Sequence, residues 1–145
     1  MVFIGGMVAW VYREISIVNV FVYGTLKKMC HNHYILRDSE FMFNATTLSS
    51  EYEMYDLVGF PAMTKGGEFR IDGEVYKVED EVLKSLDYLE SNGVLYNREE
   101  IKIRPVGANV KIVTAWAYMY LGSISSYRGR STSVNTIKSW REWGQ

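Results

Sequence analysis

The sequence predicts an α+β fold, a curved, mostly antiparallel, barrel-like sheet with a few short helices. Three observations carry this reading. Segments rich in β-branched and aromatic residues recur along the chain and outnumber segments with a helical period. Connections such as Ser49-Ser50-Glu51 and Lys65-Gly66-Gly67 are short and turn-like. The one clear amphipathic helix, Asp80 to Glu90, directly follows a strand-like run.

Composition bounds the function. A chain of 145 residues fits one domain, and folding at this size buries roughly 68 to 70 per cent of the unfolded surface, enough for a core without staples. Sixteen basic residues against 17 acidic ones leave a net charge of -1 with no basic stripe, so nucleic acid is not expected and a small molecule is the natural partner. The single cysteine, Cys30, has no intramolecular disulfide partner. The run Cys30-His31-Asn32-His33 has no further ligands at metal-site spacing elsewhere, so no metal is expected, and a reducing cytoplasm is the expected compartment. Met1 to Val11 is apolar but too short to span a bilayer before Arg13 and Glu14, and it lacks a basic leader, so no membrane association is expected.

Val18 to Leu26 organises the rest. Val18, Val20, Phe21 and Val22 read as a strand buried on both faces, and Gly24 permits a turn that a Cβ would obstruct, leaving Tyr23-Gly24-Thr25-Leu26 as a loop of exposed amides suited to an anion. Next, Asn32 is positioned to cap a short helix through Arg37 with Tyr34, Ile35 and Leu36 on its apolar side. Phe41 to Leu48 and Tyr52 to Leu57 read as strands joined by a hairpin-length connection. Pro61 has no amide proton, which puts Gly59 to Met63 at an edge, a bulge or a strand start. Phe69 to Val78 is a strand with Gly73 as a bulge or a point of close approach.

Asp80 then reads as the N-cap of a helix whose apolar stripe is Val82, Leu83, Leu86 and Leu89. Leu95 to Pro105 and Asn109 to Leu121 are long strands joined through Val106-Gly107-Ala108, and Ile101 and Ile103 alternate with Glu100, Lys102 and Arg104, so one face meets water. Residues 122–130 read as a mobile connection, and Val134 to Trp143 as a final short helix docked by Trp140 and Trp143.

Glu90 is the carboxylate that asks for an explanation. It lies four residues after Leu86 and seven after Leu83, beside the apolar stripe. Partial burial, the negative end of the helix dipole and Asp87 one turn earlier would each raise its pKa, toward that of a base useful near neutral pH. The plain alternative is a helix-end carboxylate paired with Lys84 or Arg98.

Taken together, Phe21-Val22-Tyr23-Gly24-Thr25-Leu26, Gly59-Phe60-Pro61-Ala62, Gly73-Glu74-Val75-Tyr76, Leu86-Asp87-Tyr88-Leu89-Glu90 and Tyr96-Asn97-Arg98 resemble the gamma-glutamylcyclotransferase-like family, within it the gamma-glutamylamine cyclotransferase branch. On this resemblance residues 18–121 form the core of a single domain, with a leader, 1–17, and a tail, 122–145, outside it. The leader is open as an edge strand, a partner-binding segment or a product of start-site choice.

The resemblance implies a cyclising acyl transfer that releases 5-oxoproline and a free amine without a cofactor. Glu90 would be the acid/base. The amides of Gly24, Thr25 and Leu26 would hold the substrate's α-carboxylate, Gly59, Phe60, Pro61, Ala62 and Met63 would form pocket wall with Phe60 and Met63 as apolar cover, and Tyr23, Tyr76, Tyr96 and Tyr118 would serve as wall or hydroxyl donors. A monomer or weak homodimer is expected. The alternatives are a protein that uses the same pocket to bind a small anion without turning it over, and an interaction protein in which the pocket is vestigial.

Overall fold

The computed structural model describes residues 2–9, 14–57, 59–107, 111–124, 136–137 and 140. Its centre is a closed five-stranded barrel in the order β3-β7-β4-β8-β9. These strands are β3 (Ile17–Val22), β4 (Glu40–Thr47), β7 (Asp72–Glu79), β8 (Tyr96–Pro105) and β9 (Val113–Tyr120). All neighbours are antiparallel except β3 and β9, which close the barrel in parallel where Val20 faces Trp116. The curved, mostly antiparallel sheet read from the sequence is therefore present, with one α-helix, α1 (Asp80–Leu89), and one 3-10 turn (His33–Leu36).

Alternation along the strands sorts the apolar side chains into two cores. Phe21, Val75, Ile101, Ile103, Ala115 and Ala117 belong to one. Val20, Val22, Tyr76, Val78, Tyr96 and Tyr118 belong to the other, which Leu86 of α1 joins. Glu100, Lys102 and Arg104 are exposed and alternate with buried Ile101, Ile103 and Pro105, as their period of two requires. Leu86 is fully buried, while the helix's Val82, Leu83 and Leu89 are packed at the edge of the second core.

Four local readings change. The first is the expected hairpin of Phe41 to Leu48 with Tyr52 to Leu57. β4 is already flanked on both sides, by β7 and β8, so it has no edge to offer. At its end Thr47 bonds main chain to Ile71, Leu48 N–H donates to Lys102 O, and the chain leaves the barrel. β5 (Tyr52–Asp56) instead pairs with β6 (Pro61–Lys65), which begins at Pro61, one of the places a residue without an amide proton is tolerated.

The second is the tail. Thr136 and Ile137 are not helical; as β10 they add a strand to the open edge of β5, opposite Tyr55 and Met54. Trp140 does dock, at 2% exposure, with its carbonyl accepting from Lys27 Nζ at 2.5 Å. Trp143, like most of residues 122–130, lies outside the described residues.

The third and fourth are caps. Glu79, not Asp80, is the N-cap of α1 and makes no side-chain cap bond. Asn32 precedes the 3-10 turn without capping it, and its side chain goes elsewhere. In the leader, β1 (Val2–Ile4) and β2 (Met7–Ala9) pair with each other around Gly5-Gly6 as a separate two-stranded sheet, so this part of the leader is no edge strand of the barrel.

Gly73 is a point of close approach, facing Ala45, and the bulge lies further along the partner strand, where β4 slips its register at Met42 opposite Val75 and Tyr76. A Cβ on Gly73 would stand 2.5 Å from Val22 O and 2.6 Å from the Phe21 ring, backbone and core that have nowhere to move. Gly73→Ala is accordingly expected to destabilise the fold by about 1–3 kcal/mol in urea unfolding, and wild-type stability in that variant would contradict this packing.

Candidate active site

The end of β3 and the end of α1 meet at one cavity of about 320 Å³. Tyr23, Gly24, Thr25, Leu26, Phe60, Pro61, Glu90, Tyr96 and Tyr118, each singled out in the sequence, all line it. Ala62 and Met63, the further wall residues, are fully buried in the second and first cores and are not among the lining residues. Gly59 joins the wall as expected, while sequence reasoning missed the contributions of Phe21, Val22, Leu89, Leu95, His31 and Asn32.

The loop after β3 is shaped by its own carbonyls. Gly24 O accepts from Lys27 N–H, Thr25 O from Asn32 N–H, and Leu26 O lies 2.9 Å from His33 Nδ1. With the carbonyls turned to the protein, the amides of Gly24, Thr25 and Leu26 have no acceptor among the described residues. Three successive amides beside a cavity suit an anion. Gly24 is needed for space: a Cβ there would come within 2.3 Å of Pro61 Cγ, so the glycine lets Pro61, at the start of β6, pack against the loop.

Glu90 is the residue immediately after α1, its amide bonded to Leu86 O at 2.9 Å. The chain then turns through Ser91 at φ 46° and Gly93 at φ 89° into β8, with Asn92 Oδ1 accepting from Arg98 N–H. Burial raises the Glu90 carboxyl from the ordinary carboxylate value to about 7. The expected help from Asp87 is absent, because that carboxylate is turned the other way: Asp87 Oδ1 takes the Tyr118 hydroxyl at 2.7 Å and faces Arg98 Nε at 3.2 Å. Lys84 faces Glu81 instead. Neither cation that would have held Glu90 ionised is spent on it, so the ion-pair alternative fails.

Of the four candidate tyrosines, Tyr23, Tyr96 and Tyr118 line the cavity, while Tyr76 does not and its hydroxyl donates to Glu74 Oε1 at 2.9 Å. Tyr23 hydroxyl donates to Tyr118 O at 2.5 Å, Tyr96 hydroxyl to Pro61 O at 3.0 Å, and Tyr118 hydroxyl to Asp87. Each phenol has one proton and has placed it on the protein. Burial raises the Tyr23 and Tyr118 pKa values further. These bonds tie β3 to β9, β8 to β6 and β9 to α1, which makes the cavity stiff. Of the histidine–cysteine run, Cys30 is buried in the first core, His33 packs against Tyr76, and His31 faces the cavity.

Residues 20–142 match the family model described as gamma-glutamyl cyclotransferase, AIG2-like. The chain belongs to this family of cyclising enzymes. A Vibrio cholerae protein provisionally named a gamma-glutamylcyclotransferase is 40% identical over 101 residues, 70% of this chain and 80% of its own. Human gamma-glutamylaminecyclotransferase is 34% identical over 97 residues, 59% of this chain and 61% of its own. The crystal structure of an AIG2-like protein from Mus musculus superposes with a TM-score of 0.73 at 21% identity, covering 86% of this chain and 88% of that one, a likeness of fold. Among the described residues no helix is long and apolar enough to cross a membrane.

A carboxyl whose folded pKa is raised binds more protons in the folded state than in the unfolded one between its two pKa values. Stability should therefore fall as pH rises from about 4.5 to about 7, with a slope that vanishes above. Glu90→Gln removes this cost. The variant is expected to match wild type near pH 4.5 and to exceed it at pH 8, by up to about 3 kcal/mol; a pH-independent difference in urea midpoints would contradict a buried Glu90.

Proposed function

We propose that this chain is a gamma-glutamyl(amine) cyclotransferase. The observation that carries the reading is a carboxylate, Glu90, raised to about 7 by burial and sharing a cavity with three successive amides that have no acceptor among the described residues. The amides of Gly24, Thr25 and Leu26 hold the α-carboxylate of a gamma-glutamyl compound. Phe60, Pro61, Tyr96 and Tyr118 enclose the rest of the glutamyl chain, folding it toward the ring it will form; such positioning is worth roughly 7 to 11 kcal/mol in well-oriented intramolecular reactions.

Glu90 takes a proton from the α-ammonium, freeing a lone pair to attack the gamma-carbonyl carbon. The new carbon–nitrogen bond closes a five-membered ring, and Glu90 returns the proton to the departing nitrogen as the old amide bond breaks. Of the ammonium's three protons, one stays on the ring nitrogen of 5-oxoproline and two leave on the released amine, so Glu90 ends as it began. A carboxyl near pH 7 suits both halves of this shuttle, since it neither holds the proton too tightly nor fails to accept it.

The test is 5-oxoproline release from a panel of gamma-glutamyl amines and gamma-glutamyl peptides. Wild type is expected to release it, with kcat/KM rising through about pH 7 as Glu90 ionises. Glu90→Gln is expected to lose at least about a hundredfold while still folding. Full activity in Glu90→Gln would remove the mechanism. Saturable ligand binding with no product from any substrate would move the protein to the non-catalytic reading.

A further inference from the structure

Asn32 breaks a local rule. It stands at the N-cap position of the 3-10 turn, where its side chain would ordinarily accept from the backbone two or three residues on, yet it makes no such bond. Its side chain reaches back to the loop instead: Nδ2 donates to Thr25 Oγ1 at 3.0 Å, while its main-chain N–H donates to Thr25 O at 3.0 Å. Two bonds from one residue to another, one through each backbone and one through each side chain, fix both the position of Thr25 and the rotation of its side chain. Both residues line the cavity, and Nδ2 also sits 3.1 Å from His31 Nε2.

The consequence concerns a proton. A hydroxyl has one proton to donate and lone pairs with which to accept. Because Asn32 donates to Thr25 Oγ1, the hydroxyl's acceptor side is occupied and its own proton is left to give, and among the described residues none takes it. We propose that Asn32 is a positioning residue that presents the Thr25 hydroxyl as a side-chain donor to the substrate's α-carboxylate, completing the cradle begun by the loop amides. This rests on the cyclotransferase reading above and deepens it, since it turns a backbone anion site, which side-chain deletion cannot reach, into one with a removable part.

Binding of two small probes separates the inference from that reading. The first is 5-oxoproline, which carries the carboxylate; the second is 2-pyrrolidinone, the same ring without it, each titrated into the protein by NMR. Wild type is expected to prefer 5-oxoproline. Thr25→Val keeps the shape and removes the proton, and should cut that preference about tenfold to hundredfold while leaving 2-pyrrolidinone binding near wild type. Thr25→Ser restores a hydroxyl and should recover most of it.

Asn32→Asp should weaken 5-oxoproline more than 2-pyrrolidinone, because a carboxylate there accepts the threonine proton and adds a negative charge near the cradle. The same spectra report whether each variant is folded. Folded Thr25→Val and Asn32→Asp proteins that keep the wild-type preference would overturn the inference and leave the cyclotransferase reading intact. A wild type indifferent to the carboxylate would overturn the amide cradle itself, and the inference with it.

Discussion

Closure of the barrel between β3 and β9 is the constraint on which the rest depends. At Val20 and Trp116 the first strand of the barrel meets the last, in parallel, while its other edge pairs antiparallel with β7 along its length. A closed sheet has no edge to fray, and a short strand held on both sides cannot slide without flipping every side chain to the wrong core. The loop that leaves β3 at Tyr23 is therefore delivered to one place. Tyr23 secures it there by donating to the carbonyl of Tyr118 on the closing strand.

Glu90 reaches the same place by another route. α1 follows β7 without a break, Leu86 seats it on the second core, and Asp87 fastens its last turn to Arg98 of β8 and Tyr118 of β9. The arrangement divides labour between two carboxylates three residues apart. Asp87, with a cation and a hydroxyl on one oxygen, is a structural anion. Glu90 has burial and, among the described residues, no cation paired with it, so its charged form is disfavoured and its proton becomes available near neutral pH. The Arg98 guanidinium is held further by the Trp116 ring at 4.5 Å, which keeps it on Asp87's side of the helix end.

Much of this was legible in the residues. Strand runs of β-branched and aromatic side chains, the stripe of α1 and the alternation of β8 are signals of local period, and each appears where the period puts it. The candidate site was legible for a related reason: Gly24, Pro61 and Glu90 each stand out against their surroundings, and the structure gathers all three at one cavity. What failed was pairing. Ser49-Ser50-Glu51 has the length of a hairpin, but loop length cannot say that β4 is already held between β7 and β8.

The tail failed likewise, because the open edge of β5 that Thr136 and Ile137 occupy is a property of the assembled sheet. Asn32 was legible as a polar residue at a turn but not as part of the loop. Its partner lies seven residues back, and the hint was negative: Ile35 stands where a capping box would have glutamate or glutamine.

The central claim is that burial sets the Glu90 carboxyl near neutrality. The most direct measurement is an NMR titration of the glutamate side-chain carboxyl carbons, with Glu90 assigned by its absence in Glu90→Gln. The account predicts a midpoint of about 7 for this one resonance. A midpoint at the ordinary glutamate value near 4.3 would mean that the carboxylate is solvated or paired, and would contradict the account at its base.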